Sequence, residues 1–450
     1  MLITHATLLT LGDNPQVLSD HAIYVEDGEI KAIGTTGDLI EQYPSAEQLD
    51  AKGQYVMPGN ICAHTHFYGA YARGMAIPGP APKDFPQILE RLWWPLDKAL
   101  DRDSVRASAL VCLVDAIKHG TTSLIDHHAS PNFIGGSLDA IADAVDSAGL
   151  RAVLCYEVTD RDGMDKMQAG IDENLRFMQS SQTRSRIAGT FGLHASLTLN
   201  RDALKACADV IPSGAGFHIH VAEHEADEED SLERSGKRVV QRLDEFGIWN
   251  KKTIAAHCVH IDEAERDILK DRGVWITHQP RSNMNNGVGA ADIDGLLDDG
   301  LKLCLGNDGF SNNMWADWKA AYLLHKVVNR DPRYANGMNI AKMAWDNNAR
   351  LMEQFFNKMT LGEISIGAKA DLIFVDYHPF TPLTEGNLPW HLIFGFESSM
   401  VTTTICDGQV LMRDREILVL DEQAIAEEAM SLAPKVWENY TRNVQDVLQS

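Results

Sequence analysis

The sequence predicts an α/β fold: a (β/α)8 (TIM) barrel carrying a small β-sandwich formed from both chain termini. Three observations point there. Short apolar runs alternate with helical patterns through the middle of the chain, the two ends read alike as hairpins, and histidines gather at one end of the apolar runs.

Strand-like runs occupy 56–66, 122–128, 152–158, 188–194, 216–222, 253–258, 274–278 and 301–307. Helical patterns at 104–120, 136–149 and 235–247 fall between them and end in Gly, a common residue just past a helix C-terminus. Eight short buried strands, each followed by a helix, call for parallel pairing, right-handed crossovers and closure into a barrel. The alternative is an open doubly wound sheet. It would need a Gly-rich phosphate turn after an early strand, and the chain has no GxGxxG.

At the ends, 21–34 alternates apolar and polar residues around Asp27-Gly28, and 401–418 does so around Asp407-Gly408. Asp-Gly suits a two-residue hairpin turn because both turn positions need φ > 0. Residues 368–377 add another strand. The expected division is therefore 1–57 as the N-terminal part of the sandwich, 58–357 as the barrel, and 358–450 as the rest of the sandwich plus a terminal helix.

A net charge of −24 argues against a nucleic-acid partner, which would be gripped by Lys and Arg. It does not constrain a small substrate, since a pocket can differ from the global sign. Seven Cys are scattered singly with no CxxC pair, the usage of reduced thiols in the cytoplasm. No leader and no apolar run of about 20 residues stands out, so neither export nor a membrane partner is expected. The expected protein is cytoplasmic, a homo-oligomer (a dimer), with a small heterocyclic molecule as its partner.

Barrel chemistry sits at the C-terminal ends of the strands. Those ends carry His64-Thr65-His66, Asp126-His127-His128, His194, His218-Ile219-His220 with Glu223 beyond, His257, His278 and Asn307-Asp308. Residues i and i+2 of a strand share a face, so His64 and His66 can reach one ion. Their bland reading is a satisfied core pair; for Asp308 it is a helix cap. Glu223 opens the acid run Glu223, Glu225, Asp227, Glu228, Glu229, Asp230, whose other members read as a solvated face. His224 reads as loop or surface. His278, Arg281 and Asn283 either face a pocket or cap a loop. Trp93 and Trp94 either cover a planar substrate or belong to the core.

The segments PGNICAHTHFYG (58–69), HGTTSLIDHH (119–128), FGLHASLTL (191–199), HIHVAEHEAD (218–227), AAHCVHI (255–261), HQPRSNMNN (278–286), LGNDGFSNN (305–313) and LGEISIGAKADLIFVD (361–376) resemble the amidohydrolase superfamily. They resemble its mononuclear deaminase branch in particular, and within it a poorly characterised aminohydrolase group. That resemblance implies one divalent transition metal per subunit, zinc or alternatively iron(II), on His64, His66, His220 and Asp308. It implies Glu223 as proton shuttle, His257 as the residue holding the activated water or oxyanion, and His194 as a substrate contact. Arg281, Asn283 and Trp93 complete the expected substrate-binding set. Dinuclear relatives bridge two metals with a carbamylated Lys on the fourth strand, and 187–199 contains no Lys. Nucleoside deaminases of the branch place an acid for the ribose after the first strand; here Glu90 and Asp97 stand there in uncertain register.

The implied reaction is hydrolytic deamination of a purine, pterin or pyrimidine type of heterocycle. Hydrolysis of a cyclic amide or of another leaving group is the alternative, and a non-catalytic binding protein the third reading. The cytidine-deaminase signature HxE…PCxxC is absent.

Overall fold

The computed structural model describes residues 1–449. The chain begins with β1 (Leu2–Leu9), β2 (Val17–Glu26), β3 (Glu29–Thr35), β4 (Gln48–Asp50) and β5 (Tyr55–Pro58). The body adds β6 (Asn60–Thr65), β7 (Thr121–His128), β8 (Arg151–Tyr156), β9 (Ile187–Gly189), β10 (Phe191–Ala195), β11 (Phe217–Val221), β12 (Ile254–His257), β13 (Trp275–His278) and β14 (Lys302–Leu305). β15 (Leu372–Val375), β16 (Val401–Cys406), β17 (Gln409–Arg413) and β18 (Glu416–Ile417) follow, before a terminal helix Glu422–Gln449.

The body strands form two parallel sheets, β6-β7-β8-β9 and β10-β11-β12-β13-β14. Nearly every residue in them is buried, as parallel strands covered by helices on their outer face require. The helices begin where capping chemistry is available. Asp101 and Ser104 form a capping box at Arg102–Lys118, as do Asp262 and Glu265 at Glu263–Arg272. Gly149 and Gly273 end their helices in the left-handed region.

Two of the expected strands divide. The run 56–66 breaks at Gly59: β5 joins the terminal sheet antiparallel to β15, while β6 turns into the body. A Cβ at Gly59 would collide with the Thr122 side chain, so the crossing needs glycine. The run 188–194 breaks at Thr190, with β9 in one sheet and β10 in the other. Thr190 is tied to both sides, its N–H donating to Leu154 O (3.0 Å) and its hydroxyl to Gly216 O (3.0 Å). The two sheets approach at a Val158–Leu193 parallel bridge and, on the far side, where Asn307 N–H donates to His64 O at 3.0 Å.

The helix expected over 235–247 is shorter, Val239–Asp244, because Gly236 ends a preceding helix, Glu225–Ser235. That preceding helix carries the acid run. Asp227 and Glu228 are buried rather than solvated: Asp227 accepts from Leu197 N–H and Ala222 N–H (both 2.9 Å), and Glu228 pairs with Arg238 at 3.2 Å.

Both chain ends meet in one nine-stranded sheet. The two Asp-Gly hairpins are there: Asp27 and Gly28 have φ 51° and 73°, Asp407 and Gly408 φ 50° and 76°. A buried Arg151–Asp371 pair, bidentate at 3.0 and 3.1 Å, fastens the end of this sheet to the start of β8. All seven cysteines are free thiols. Among the described residues no helix is long and apolar enough to cross a membrane.

Candidate metal centre and active-site pocket

The strand ends bring five side chains to one point. His64 and His66 project from β6 with ring centroids 4.8 Å apart. Asp308, just past β14, has Oδ1 3.0 Å from His64 Nε2 and 2.9 Å from His66 Nε2, while Oδ2 accepts from the Ser282 hydroxyl at 2.6 Å. His66 Nε2 and His220 Nε2 are 3.2 Å apart, and His257 Nε2 is 3.8 Å from Asp308 Oδ2. Ala222, His257, Cys258 and Asp308 all hold positive φ (44°, 73°, 50° and 55°), a strained backbone for residues with a Cβ.

The outward nitrogens define what the inward ones offer. His66 Nδ1–H donates to His127 O (2.6 Å), His220 Nδ1–H to His194 O (3.0 Å) and His257 Nδ1–H to Asn283 Oδ1 (2.9 Å). Each Nε2 therefore turns a lone pair inward, and that of His257 has no hydrogen-bond partner. His64 Nδ1 is 2.8 Å from His218 Nε2, so His218 backs the His64 ring. Burial lowers His64 to about 3 and holds His218 and His220 well below the usual histidine range. Burial also opposes charge on His66, but the Asp308 carboxylate outweighs it and raises that ring to about 9. For Asp308 burial works against ionisation, yet His257, His64 and His66 keep it well below the carboxylate range. Imidazoles held neutral at His64 and His220, a His66 ring that keeps positive charge where a cation would sit, and one firmly ionised carboxylate make up a donor set suited to a catalytic divalent metal. The atoms of His64, His220, His257 and Asp308 lie within 4.8 Å of one another, close enough for one ion.

Above the cluster opens a cavity of about 270 Å³ with apolar walls that include Tyr68, Phe85, Trp93, Trp94 and Leu197. Trp93 closes a π-helical turn, Leu89–Trp93, a local irregularity common at functional sites. Glu223 forms part of the floor. Its Oε2 is 3.4 Å from His257 Nε2, and its Oε1 is buried without a partner. Burial first, and then the charge of Asp308, raises Glu223 well above the usual carboxylate range.

Of the expected substrate contacts, His194 and Trp93 line this cavity. Arg281 and Asn283 do not. Arg281 is committed to buried Asp317 (2.6 Å) and to Ser311, and buried Asn283 orients His257 instead. His278 is likewise turned away, 3.0 Å from His325. Asp97 is buried in an ion pair with Arg161, while Glu90 lies on the cavity rim. His224 caps the helix after β11 and reaches the cavity wall. Glu157 went unnoticed in the sequence although it ends the run 152–158, where the strand-end rule points; it is buried in the cavity wall.

The Amidohydrolase family model matches residues 55–411. The chain belongs to the amidohydrolase family. Curated relatives include 5'-deoxyadenosine deaminase of Methanosarcina mazei, 32% identical over 446 residues, covering 97% of this chain and 98% of that protein. Another is 5-methylthioadenosine/S-adenosylhomocysteine deaminase of Pelotomaculum thermopropionicum, 32% identical over 444 residues, covering 96% and 98%. Among solved structures, an adenosine deaminase from Xanthomonas campestris with bound zinc superposes with a TM-score of 0.84 at 24% identity, covering 97% of this chain and 98% of its own.

Proposed function

We propose that this chain is a metal-dependent aminohydrolase that deaminates an N-heterocycle of purine, pterin or pyrimidine type. The observation that carries the reading is the pair of carboxyls flanking His257, Glu223 at 3.4 Å and Asp308 at 3.8 Å, on the floor of an apolar cavity. Their environments push them in opposite directions, one towards holding a proton and one towards losing it, the division an acid/base pair requires.

His64, His66, His220 and Asp308 would hold a single divalent metal, zinc or alternatively iron(II), and that ion would supply a water acidic enough to ionise near neutral pH. Asp308 takes the proton of the attacking water through Oδ2, and the His257 Nε2 lone pair orients that water. Glu223 protonates the ring nitrogen beside the attacked carbon. The proton held on Asp308 then passes to the amino group, the C–N bond breaks and ammonia leaves. Glu223 recovers its proton from the new hydroxyl as the carbonyl forms. Water is consumed, ammonia is released, and both carboxyls return to their starting states. Trp93 and the apolar walls exclude bulk water from the exchange.

The scaffold for this chemistry is a closed (β/α)8 barrel over 58–357, with β9 and β10 as one strand interrupted at Thr190. The two close approaches of the parallel sheets support that closure. The terminal sheet is the sandwich of 1–57 and 358–450, around its own apolar cluster of Ile3, Leu8, Ile23, Leu372, Phe374 and Ile405.

Ammonia release from metal-loaded protein, across aminopurines, aminopterins and aminopyrimidines, tests the reading. One metal per chain with ammonia released is expected. Loaded protein that opens ring amides without releasing ammonia would overturn it.

A further inference from the structure

Around Glu157 the same cavity wall carries polar atoms that the deamination chemistry leaves unused. Glu157 is 2% exposed, and its Oε2 is buried without a hydrogen-bond partner among the described residues. Its nearest side-chain neighbours are His127 Nδ1, 3.3 Å from Oε2, and His194 Nε2, 3.9 Å from Oε1. Both rings have spent a proton elsewhere. His127 Nε2–H donates to His218 O at 3.1 Å. The Thr198 hydroxyl donates to Ala195 O, so its oxygen accepts from His194 Nδ1–H at 2.6 Å, and His194 Nε2 faces the cavity as a lone pair. Acceptors thus face acceptors on this wall. Beside them, with its ring 6.4 Å from His194, Trp94 presents a buried indole N–H that has no partner.

Charge adds to the case. The nearby Arg161 guanidinium is taken up by Asp97 and by Asp162 (3.3 Å), and Lys98 pairs with Asp162 at 2.7 Å. Arg161 Nη1 is buried without a hydrogen-bond partner, so this cation acts on Glu157 by charge but donates no hydrogen bond to it. A buried carboxylate without donors is costly, and a site built this way discriminates strongly for ligands that supply them.

We propose that Glu157 and Trp94 select a heterocycle with a 2-amino-4-oxopyrimidine ring, its ring N–H donating to Glu157 and its carbonyl accepting from the Trp94 indole. The inference rests on the deaminase reading. In such a ring the carbon bearing the amino group lies between two nitrogens. Glu223 protonates the one without hydrogen, and the N–H on the other side meets Glu157. The adjoining carbonyl then falls towards Trp94. Water adds at the carbon between the nitrogens, ammonia leaves, and the 2,4-dioxo product retains the Glu157 hydrogen bond. Adenosine presents only ring acceptors away from its amino group, and the one ring N–H of adenine lies on the five-membered ring, so neither sets a ring donor beside the attacked carbon for Glu157. This wall therefore separates the chain from what its adenosine-type relatives are named for.

The test uses the metal-loaded full chain with guanine, pterin and isocytosine against adenine, adenosine, 5'-deoxyadenosine and cytosine. Ammonia release is read beside quenching of tryptophan fluorescence on binding. The 2-amino-4-oxo probes should exceed adenosine by about 10²-fold or more in kcat/KM. Glu157→Gln should lose about 10²-fold on those probes at unchanged metal content and circular dichroism. Trp94→Phe, which keeps the ring and removes the donor, should raise KM by up to about 10-fold and stands as the second variant if Glu157→Gln does not fold. Preferred turnover of adenosine, or variants within about 2-fold of wild type, overturns this inference and leaves the deaminase reading standing. Fully loaded enzyme that releases ammonia from none of the probes overturns both.

Discussion

The terminal sheet and the metal centre are built on opposite terms. In the sheet, local chemistry mostly agrees with local conformation: both hairpin turns are Asp-Gly, the strands alternate, and the buried Arg151 has its carboxylate partner in bidentate geometry, while the other non-glycine residues at positive φ, such as His5, Asp20 and Arg415, carry none of the chemistry. At the centre, Ala222, His257, Cys258 and Asp308 hold left-handed backbone without being glycine. There Glu223, Glu157 and His257 also keep buried polar atoms without hydrogen-bond partners. Consistent regions stabilise a fold, whereas unsatisfied and strained ones persist only where the surroundings enforce them and a ligand completes them. Substitutions in the two regions should accordingly separate stability from activity.

The largest effect belongs to Asp308. Asp308→Ala removes a metal donor and the proton acceptor together, so kcat/KM should drop by about 10⁴-fold or more and metal content should fall with it. Elemental analysis beside the assay checks both. Thermal stability of the metal-free protein should change far less than activity does.

Glu223→Gln comes next, with kcat reduced by about 10³-fold at full metal occupancy. The raised pKa of Glu223 sets the sign of the pH dependence. The acid form is the working form, so kcat/KM declines as pH rises through that pKa, and the Gln variant should lack this limb. A variant with wild-type rate would show that another group delivers the proton.

Arg151→Ala should act on stability alone, by about 3–5 kcal/mol, because it leaves the buried Asp371 carboxylate without its cation, with only the Asp407 N–H (2.7 Å) still donating to it. Denaturant midpoints measure it; an intact midpoint would mean that the terminal sheet is not held through this pair. Gly28→Ala is the smallest, about 1–3 kcal/mol. Its φ is +73°, and a Cβ there would sit 2.6 Å from Asp407 Oδ1 and 2.9 Å from Asp407 O, in the other hairpin. Activity per folded molecule should be unaffected in both.

Much of this was legible in the sequence because the signals are local. Period-two alternation around Asp-Gly marked both hairpins, and their pairing into one sheet followed from the likeness of the two ends. The strand-end rule gathered His64, His66, His194, His220, Glu223, His257 and Asp308, which do converge at one end of the parallel sheets. The same rule would have reached Glu157 had it been applied to every strand.

The rest required tertiary structure, because it depends on partners far apart in the chain. Arg281 was free to face a pocket until Asp317, on the following helix, took its guanidinium. Asn283 looked like a ligand contact until the His257 ring claimed its oxygen. Asp227 and Glu228 read as solvated acids until backbone donors and Arg238 closed over them. The break at Gly59 arises where the chain passes too close to Thr122 for a Cβ, and that at Thr190 where one residue bonds to Leu154 on one side and Gly216 on the other. Local pattern determined which residues could do chemistry at the strand ends. Packing decided which polar groups were satisfied by the protein itself, and so which were left for a metal and a substrate.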